Sequence, residues 1–355
     1  MGRWSTLSTL VAGFAFAACK GASTSPSTVC AVPASASHWP LRLKLNRWNC
    51  ANGSAESCRG LGWSLNAGAD GVTDPPRALS FFDCACASGD AEGCNGQGAM
   101  FAHGDGTTRD FAKAAGLYDK ACKGGSSDGC ANLGNLVENG RGVAKDEAKA
   151  RALYESACKV DNVRACSGLA FMLERGAGGP LDYSRALGLY EAGCAKDDPT
   201  ACNNLGAAFH NGQGRPKNLA RARELYEKSC ARDYPMACGN LGELYRHGRG
   251  VPQDEGKAEK LFLDGCRSKR DVGRSRVCAL LADLVISGNS RAIPLAEAKR
   301  YAEAACAESI ALGCLALARY RVNHEPDPDA LKRDLERACK LGSSAACDGT
   351  AFRIQ

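Results

Sequence analysis

An all-α solenoid of stacked helix pairs is the fold class that this sequence predicts, and three regularities predict it. Cys50, Cys86, Cys122, Cys158, Cys194, Cys230 and Cys266 follow one another at intervals of 36 residues. Eight positions after each of the first six stands a second cysteine, at Cys58, Cys94, Cys130, Cys166, Cys202 and Cys238. The partner of Cys266 comes twelve positions on, at Cys278, and two further pairs, Cys306 with Cys314 and Cys339 with Cys347, continue the series with altered spacing. Ten residues beyond the second cysteine of a unit comes Gly68, Gly104, Gly140, Gly176, Gly212, Gly248 or Gly288, which reads as the left-handed stop of a short first helix. Units of this length cannot each bury a hydrophobic face alone, so they must stack into an α/α superhelix.

Ahead of the array, residues 1–18 read as an export signal. Arg3 supplies the positive start, Leu7 to Ala18 the apolar stretch, and Ala15, Ala17 and Ala18 the small residues at the cleavage site. Cys19 follows, so Phe16-Ala17-Ala18-Cys19 is similar to a bacterial lipobox, with Phe16 where an aliphatic residue usually stands. Lipidation of Cys19 is the expectation, and simple cleavage after Ala17 or Ala18, giving a secreted protein, is the alternative. Residues 19–45 are drawn as a tether, because the stretch up to residue 37 is rich in Ser, Thr, Ala and Pro and cannot bury a core. The repeat array then covers residues 46–355.

Composition narrows the function classes. Forty-five basic residues against 39 acidic ones leave a net charge of +6, too balanced for an obvious nucleic-acid binder. Beyond the first stretch no apolar run reaches spanning length, which excludes a multi-spanning membrane protein; membrane contact is expected through the lipid anchor only.

Within the unit, a small residue recurs four positions after the second cysteine, at Gly134, Ala170, Gly206, Gly242 and Ala282, where it lets two helices approach closely. A second helix follows, its apolar face readable from Ala150, Leu153, Tyr154 and Ala157 and again from Ala222, Leu225 and Tyr226. On one continuous helix, residues i and i+8 would lie about 12 Å apart, beyond bridging distance. The chain therefore reverses between the paired cysteines, in segments of turn composition such as Ala195 to Ala201 with Asp197, Asp198 and Pro199. Each bridge then ties the end of a second helix to the start of the next first helix. Metal binding is disfavoured, since no CxxC occurs and histidine accompanies few of the pairs, and no cofactor is expected.

These motifs resemble a known family. The run Cys130-Ala-Asn-Leu-Gly134, Asn139-Gly-Arg-Gly142, Ala148, Ala152-Leu-Tyr154 and Ala157-Cys158 resembles a Sel1-like repeat, and the added cysteine pairs over residues 50–347 make the chain similar to the Helicobacter cysteine-rich protein family. The resemblance implies a disulfide-tied superhelix of antiparallel helix pairs. It also implies one of two activities: an adaptor for other proteins, or a penicillin-binding protein or weak β-lactamase that would take a β-lactam or peptidoglycan fragment.

Candidate sites follow from both readings. For the hydrolase, the pattern S-x-x-K occurs at Ser156-Ala-Cys-Lys159, but Lys-Thr-Gly is absent, and Ser156 lies beside Cys158 inside a repeating helix end that carries Ala121, Gly193, Ser229 and Gly265 in neighbouring repeats. For the adaptor, Asn132, Asn204 and Asn240 recur two residues after Cys130, Cys202 and Cys238, where amides could bond an extended peptide or neighbouring turns of the repeat itself. Gly96 and Gly168 interrupt that ladder. His103, His210 and His247 stand at first-helix ends, where a partly charged imidazole complements the helix terminus. If Cys19 is lipidated, Cys30 and Cys84 remain as an even pair that could staple the tether to the first repeats. An exported scaffold that binds a protein or peptide on its concave face is the expected function, with β-lactam hydrolysis as the alternative.

Overall fold

The computed structural model describes residues 39–69 and 71–348, which contain helices and no strand. A single helix, α1 (Leu41–Ala51), comes first. Pairs follow: α2 (Ala55–Ala67) with α3 (Pro75–Ala87), α4 (Ala91–His103) with α5 (Phe111–Lys123), and α6 (Ser127–Asn139) with α7 (Glu147–Cys158). Next come α8 (Val163–Arg175) with α9 (Tyr183–Ala195), α10 (Pro199–Asn211) with α11 (Leu219–Cys230), and α12 (Pro235–Arg246) with α13 (Glu255–Cys266). The last pairs are α14 (Arg274–Ile286) with α15 (Leu295–Ala307) and α16 (Ala311–His324) with α17 (Pro328–Lys340), before a single turn, α18 (Ser344–Cys347).

The start of the array corrects the expected boundary. Helix α1 begins at Leu41, inside the stretch drawn as a tether, and Trp39 is 3% exposed. Leu43 and Cys50, two turns apart on one face, bury against the first repeat, so these residues have a core to join. Cys19 and Cys30 lie outside the described residues.

Most of the helices are started by a side chain of their own sequence, and the early even-numbered ones are stopped by a glycine. Asp74, Asp110, Asp146 and Asp182, 36 residues apart, accept from the third backbone N–H of the odd-numbered helices, at 3.2, 3.0, 2.9 and 2.9 Å. Asp90, Ser126, Asn162 and Asp198 do the same for even-numbered ones. At the other end, Gly68, Gly104, Gly140, Gly176 and Gly212 cap the even helices in the left-handed conformation. In the turn back, the third residue after the first cysteine is again left-handed. It is Gly in the early repeats and Asp161, Asp197 and Asp233 in three successive ones, a conformation that Asp tolerates better than most side chains.

Nine disulfides close these turns, from Cys50–Cys58 to Cys339–Cys347, with Cα atoms 4.4–4.8 Å apart. Every one joins the end of an odd-numbered helix to the start of the next even-numbered one, as the spacing predicted. The altered spacing late in the chain leaves this geometry intact. Cys266 and Cys278 bond across the longer turn with Cα atoms 4.7 Å apart. Cys306 of α15 bonds Cys314 of α16 at 4.5 Å, and Cys314 is fully buried, in a small core with Leu315 and Ala338. On the chain-entropy model a ring this small contributes roughly 2–3 kcal/mol. Cys84 is also disulfide-bonded, and its Sγ lies 3.4 Å from that of Cys58.

Packing explains the recurring small residue. From α3 to α13, an aromatic ring of the odd helix stands in register with it: a Cβ at Gly206 would come 2.8 Å from the Tyr226 ring, and one at Gly134 3.0 Å from Tyr154. The same Tyr154 ring reaches Gly168 of the next repeat, where a Cβ would stand 2.9 Å away. Even-numbered helices therefore pack directly on one another, α2 on α4, α4 on α6 and α6 on α8, while no odd-numbered helix packs comparably on the next. The even helices form the inner, concave layer and the odd helices the outer one. No described helix is long and apolar enough to cross a membrane.

A second glycine two residues beyond the helix stop locks neighbouring repeats. Gly106 has φ +66°, and a Cβ there would lie 2.5 Å from the backbone of Pro75 at the start of α3. Gly106→Ala is expected to destabilise the oxidised protein by about 1–3 kcal/mol. Gly116→Ala, on an exposed face of α5 with open space around it, is expected to stabilise it by about 0.5–1 kcal/mol. Denaturant unfolding with the disulfides intact reads both, and a shift of the same sign for the two would contradict the packing.

Candidate binding face

The inner helices turn one stripe of side chains away from the outer layer. On α6 it runs through Asp128, Asn132, Asn135 and Asn139, on α8 through Arg164, Phe171 and Arg175, and on α12 through Met236, Asn240, Glu243 and His247, all half-buried or exposed. Across the repeats the position five after the second cysteine gives Trp63, Ala99, Asn135, Phe171, Ala207 and Glu243. Trp63 is 44% exposed, stands edge-on to Phe82 with ring centroids 4.9 Å apart, and borders a hollow of about 420 Å³ with Asn46, Arg59 and Glu92. Arg175 covers the Phe171 ring at 4.9 Å. The face thus presents aromatic, amide and charged groups in sequence along one groove.

The three predicted asparagines sit on this stripe, half-buried, with their amide nitrogens committed inside the chain. Asn132 Nδ2 donates to Asn95 Oδ1 at 2.8 Å and Asn240 Nδ2 to Asn203 Oδ1 at 2.9 Å, each pair joining successive inner helices. Asn204 Nδ2 reaches the Tyr190 hydroxyl at 3.4 Å, and its Oδ1 accepts from Asn203. These are the bonds to the repeat itself that sequence reading left open as the second use of the amides. Asn95 and Asn203, one residue after Cys94 and Cys202, are the buried halves of these pairs and had no signal beyond their register.

Ser156 and Lys159 lie elsewhere. Both are exposed at the C-terminal end of outer helix α7, where Lys159 caps the helix with its backbone N–H, on the layer turned away from the groove. Of the histidines, His103 lies 3.9 Å from Asp105 and His247 3.4 Å from Glu243. His210 departs from its expected role: burial first, then Arg249 and Lys217, lower its pKa and favour the neutral ring. Cys50, Cys58 and Cys84 bring three sulfurs together, but all three are disulfide-bonded, so they are not available as thiolate metal ligands.

Eight residues after the second cysteine the inner helices carry Glu138, Glu174, His210 and Arg246 in successive repeats. The Tyr154 hydroxyl donates to Glu138 at 3.0 Å. Burial raises the pKa of Glu138, and it pushes that of Glu174 up to about 6 against the opposing hydrogen bond from Tyr190 and the charge of Arg175. The groove therefore carries half-buried, protonatable carboxylates at α6 and α8, whereas Arg246 at α12 is already paired with Glu243 at 3.8 Å and with Asp283.

At α14 the groove closes. Residues 277–286 are all buried, and Asp283, 2% exposed, pairs with Arg246 of α12 at 3.1 Å and with Arg319 of α16. Sequence reading missed this triad because its members sit one repeat apart in the single stretch where the cysteine spacing changes.

Two outcomes follow. Because the folded pKa of Glu174 is raised above its ordinary value of 4.5, the folded state holds this proton more tightly, and stability falls as pH rises from about 4.5 to about 6. Glu174→Gln is expected to flatten that fall, read from melting temperatures across the window; an unchanged slope would remove Glu174 as its source. Asp283→Ala leaves two arginines facing each other and is expected to cost about 3–5 kcal/mol, seen as lost amide-exchange protection in α14 and absent from α6.

Comparison with known proteins places the chain. The Sel1 repeat matches seven times, at residues 55–90, 91–126, 127–162, 163–198, 199–234, 235–267 and 311–349, leaving α1 and residues 268–310 around α14 unmatched. No curated protein matches. Among solved structures, a protective antigen present in uropathogenic Escherichia coli strains, displaying an SLR fold, is similar at 22% identity over 88% of this chain and 68% of its own, with a TM-score of 0.53. A Sel1 repeat protein from Oxalobacter formigenes is similar at 26% identity over 61% of this chain and 88% of its own, with a TM-score of 0.53. Matched unit by unit over more than half its length, and folded as the same helix-pair array, the chain belongs to the Sel1 repeat family.

Proposed function

We propose that the protein is an exported scaffold that holds an extended segment of a partner protein or peptide in its inner groove, and that a lipid on Cys19 retains it at the cell envelope. Sel1 repeats serve protein–protein interaction, and nine bridges suit an oxidising, extracytoplasmic compartment. The observation that carries the reading is the continuous inner stripe from Trp63 through Asn135 and Phe171 to Glu243, open to solvent up to the point where Asp283 closes it. Trp63 and Phe171 offer the apolar anchors that dominate such interfaces. The half-buried carboxylates of Glu138 and Glu174 favour a bound segment with cationic residues at α6 and α8. The β-lactamase reading draws no support from Ser156 and Lys159, which lie exposed on the outer layer.

Peptides selected from a random library on the oxidised protein test this. Trp63→Ala and Phe171→Ala are each expected to weaken the selected peptides about tenfold or more in fluorescence anisotropy, whereas Ser156→Ala leaves binding unchanged. Peptides indifferent to both inner-face substitutions would place binding elsewhere. Turnover of a chromogenic β-lactam that disappears in Ser156→Ala would replace the scaffold reading with the enzymatic one.

A further inference from the structure

Helix α1 carries a surface that the groove does not use. Leu41, Leu45 and Trp48 are 83%, 57% and 65% exposed, and their spacing at i, i+4 and i+7 puts them on one face. At about 100° per residue the three fall within an arc of roughly 60°, and the buried pair Leu43 and Cys50 points the opposite way. Arg42 and Lys44, both exposed, flank the apolar arc, one on each side. The helix contains a third cation, Arg47, and no acidic residue. An apolar stripe with cations at both shoulders, at the end of an array rather than between repeats, is the arrangement of a helix lying in a lipid interface, with Trp and Leu in the acyl boundary and long cationic side chains reaching the phosphates.

We propose that α1 is a lipid-docking helix that lays the N-terminal end of the solenoid flat on an anionic bilayer. Leu41, Leu45 and Trp48 enter the interface, and Arg42 and Lys44 meet the headgroup phosphates. Two competing occupants fit less well. The chain from Cys19 to His38 offers Val29 and Val32 as its only large aliphatic residues and has no Leu, Ile, Met, Phe, Tyr or Trp with which to cover such a stripe. A second copy, packed face to face about a two-fold axis, would bring the cations of the two helices together without acidic partners from α1. The inference is independent of the groove and of lipidation. Where Cys19 is acylated, α1 supplies the second of the two signals that stable anchoring requires.

The test uses the exported, oxidised full chain carrying Cys19→Ser, so that no acyl chain contributes. Flotation with vesicles of phosphatidylcholine, alone or mixed with phosphatidylglycerol, is expected to show binding to the anionic vesicles about tenfold or more above the neutral ones, weakened by added salt. Leu45→Ser/Trp48→Ser is expected to abolish it, and Arg42→Ala/Lys44→Ala to remove the preference for the anionic lipid. Both variants should keep the wild-type melting temperature, because the substituted side chains are exposed. Binding that survives Leu45→Ser/Trp48→Ser, or wild-type binding that ignores lipid charge, overturns the proposal. So does a failure to bind accompanied by a dimer that Leu45→Ser dissolves, which would assign the stripe to a second copy. Shielding of Trp48 from iodide without vesicles, measured against Trp48→Phe, would assign it to the chain's own N-terminal segment.

Discussion

The fold depends on one contact repeated along its length: an aromatic ring from an outer helix pressed onto side-chain-free backbone of the inner helices. The Tyr154 ring touches Gly134 of its own repeat and Gly168 of the next, so a single side chain sets the distance from outer to inner layer and from one inner helix to its successor. Because the inner helices approach over glycine or alanine while the outer ones are held apart by rings, the stack must curve toward the inner side. Where Asn replaces Gly at the second contact, as at Asn204 against Tyr190, the amide bonds the ring hydroxyl and the spacing survives. The concavity on which the binding reading rests is thus a consequence of where the small residues stand.

Much of this was legible before the structure. The cysteine register, the stop glycines and the recurring small residue are local devices, each tied to a backbone requirement that only a few residue types meet, and they placed the helices, the turns and the nine bridges. The boundary before α1 was misjudged because Leu43 and Cys50 are seven residues apart in a stretch otherwise polar or exposed, too few periodic positions to register. The capping Asp, Ser and Asn residues recur at 36 residues and were a signal left unused. The binding face was legible only in part. Asn132, Asn204 and Asn240 do lie on it, but whether an amide faces a ligand or a neighbour depends on the residue one repeat away, which register alone does not reveal. The triad of Arg246, Asp283 and Arg319 shows the same limit: no local pattern marks a charge that is balanced from two other helices.

The two layers divide the chemistry. Outer helices and the turns that follow them carry ion pairs between successive repeats, such as Arg185 with Glu155 at 2.6 Å and Arg232 with Asp197 at 2.6 Å, each of small energetic weight. Inner helices hold the carboxylates and the imidazole that burial perturbs, Glu138, Glu174 and His210, together with the buried Asp283. A serine on the outer layer, beside a disulfide and facing solvent, has none of the enclosure that an acyl-transfer site needs. What the inner layer offers is a partly desolvated surface of aromatic, amide and acidic groups.

The nine bridges share a property with consequences for biogenesis. Each joins a cysteine to the next one among these eighteen in chain order, across a turn that two neighbouring helices close by themselves. A chain emerging N-terminus first can therefore oxidise every bridge as soon as its two helices are out, before any later cysteine is available to compete. Twenty-one cysteines would otherwise admit an immense number of wrong pairings. Among the described residues, Cys84, two residues before Cys86 and 3.4 Å from the Cys58 sulfur, is the position where an early error of pairing lies within reach, so the demand for a disulfide-shuffling catalyst falls on the first repeats and not on the array that follows.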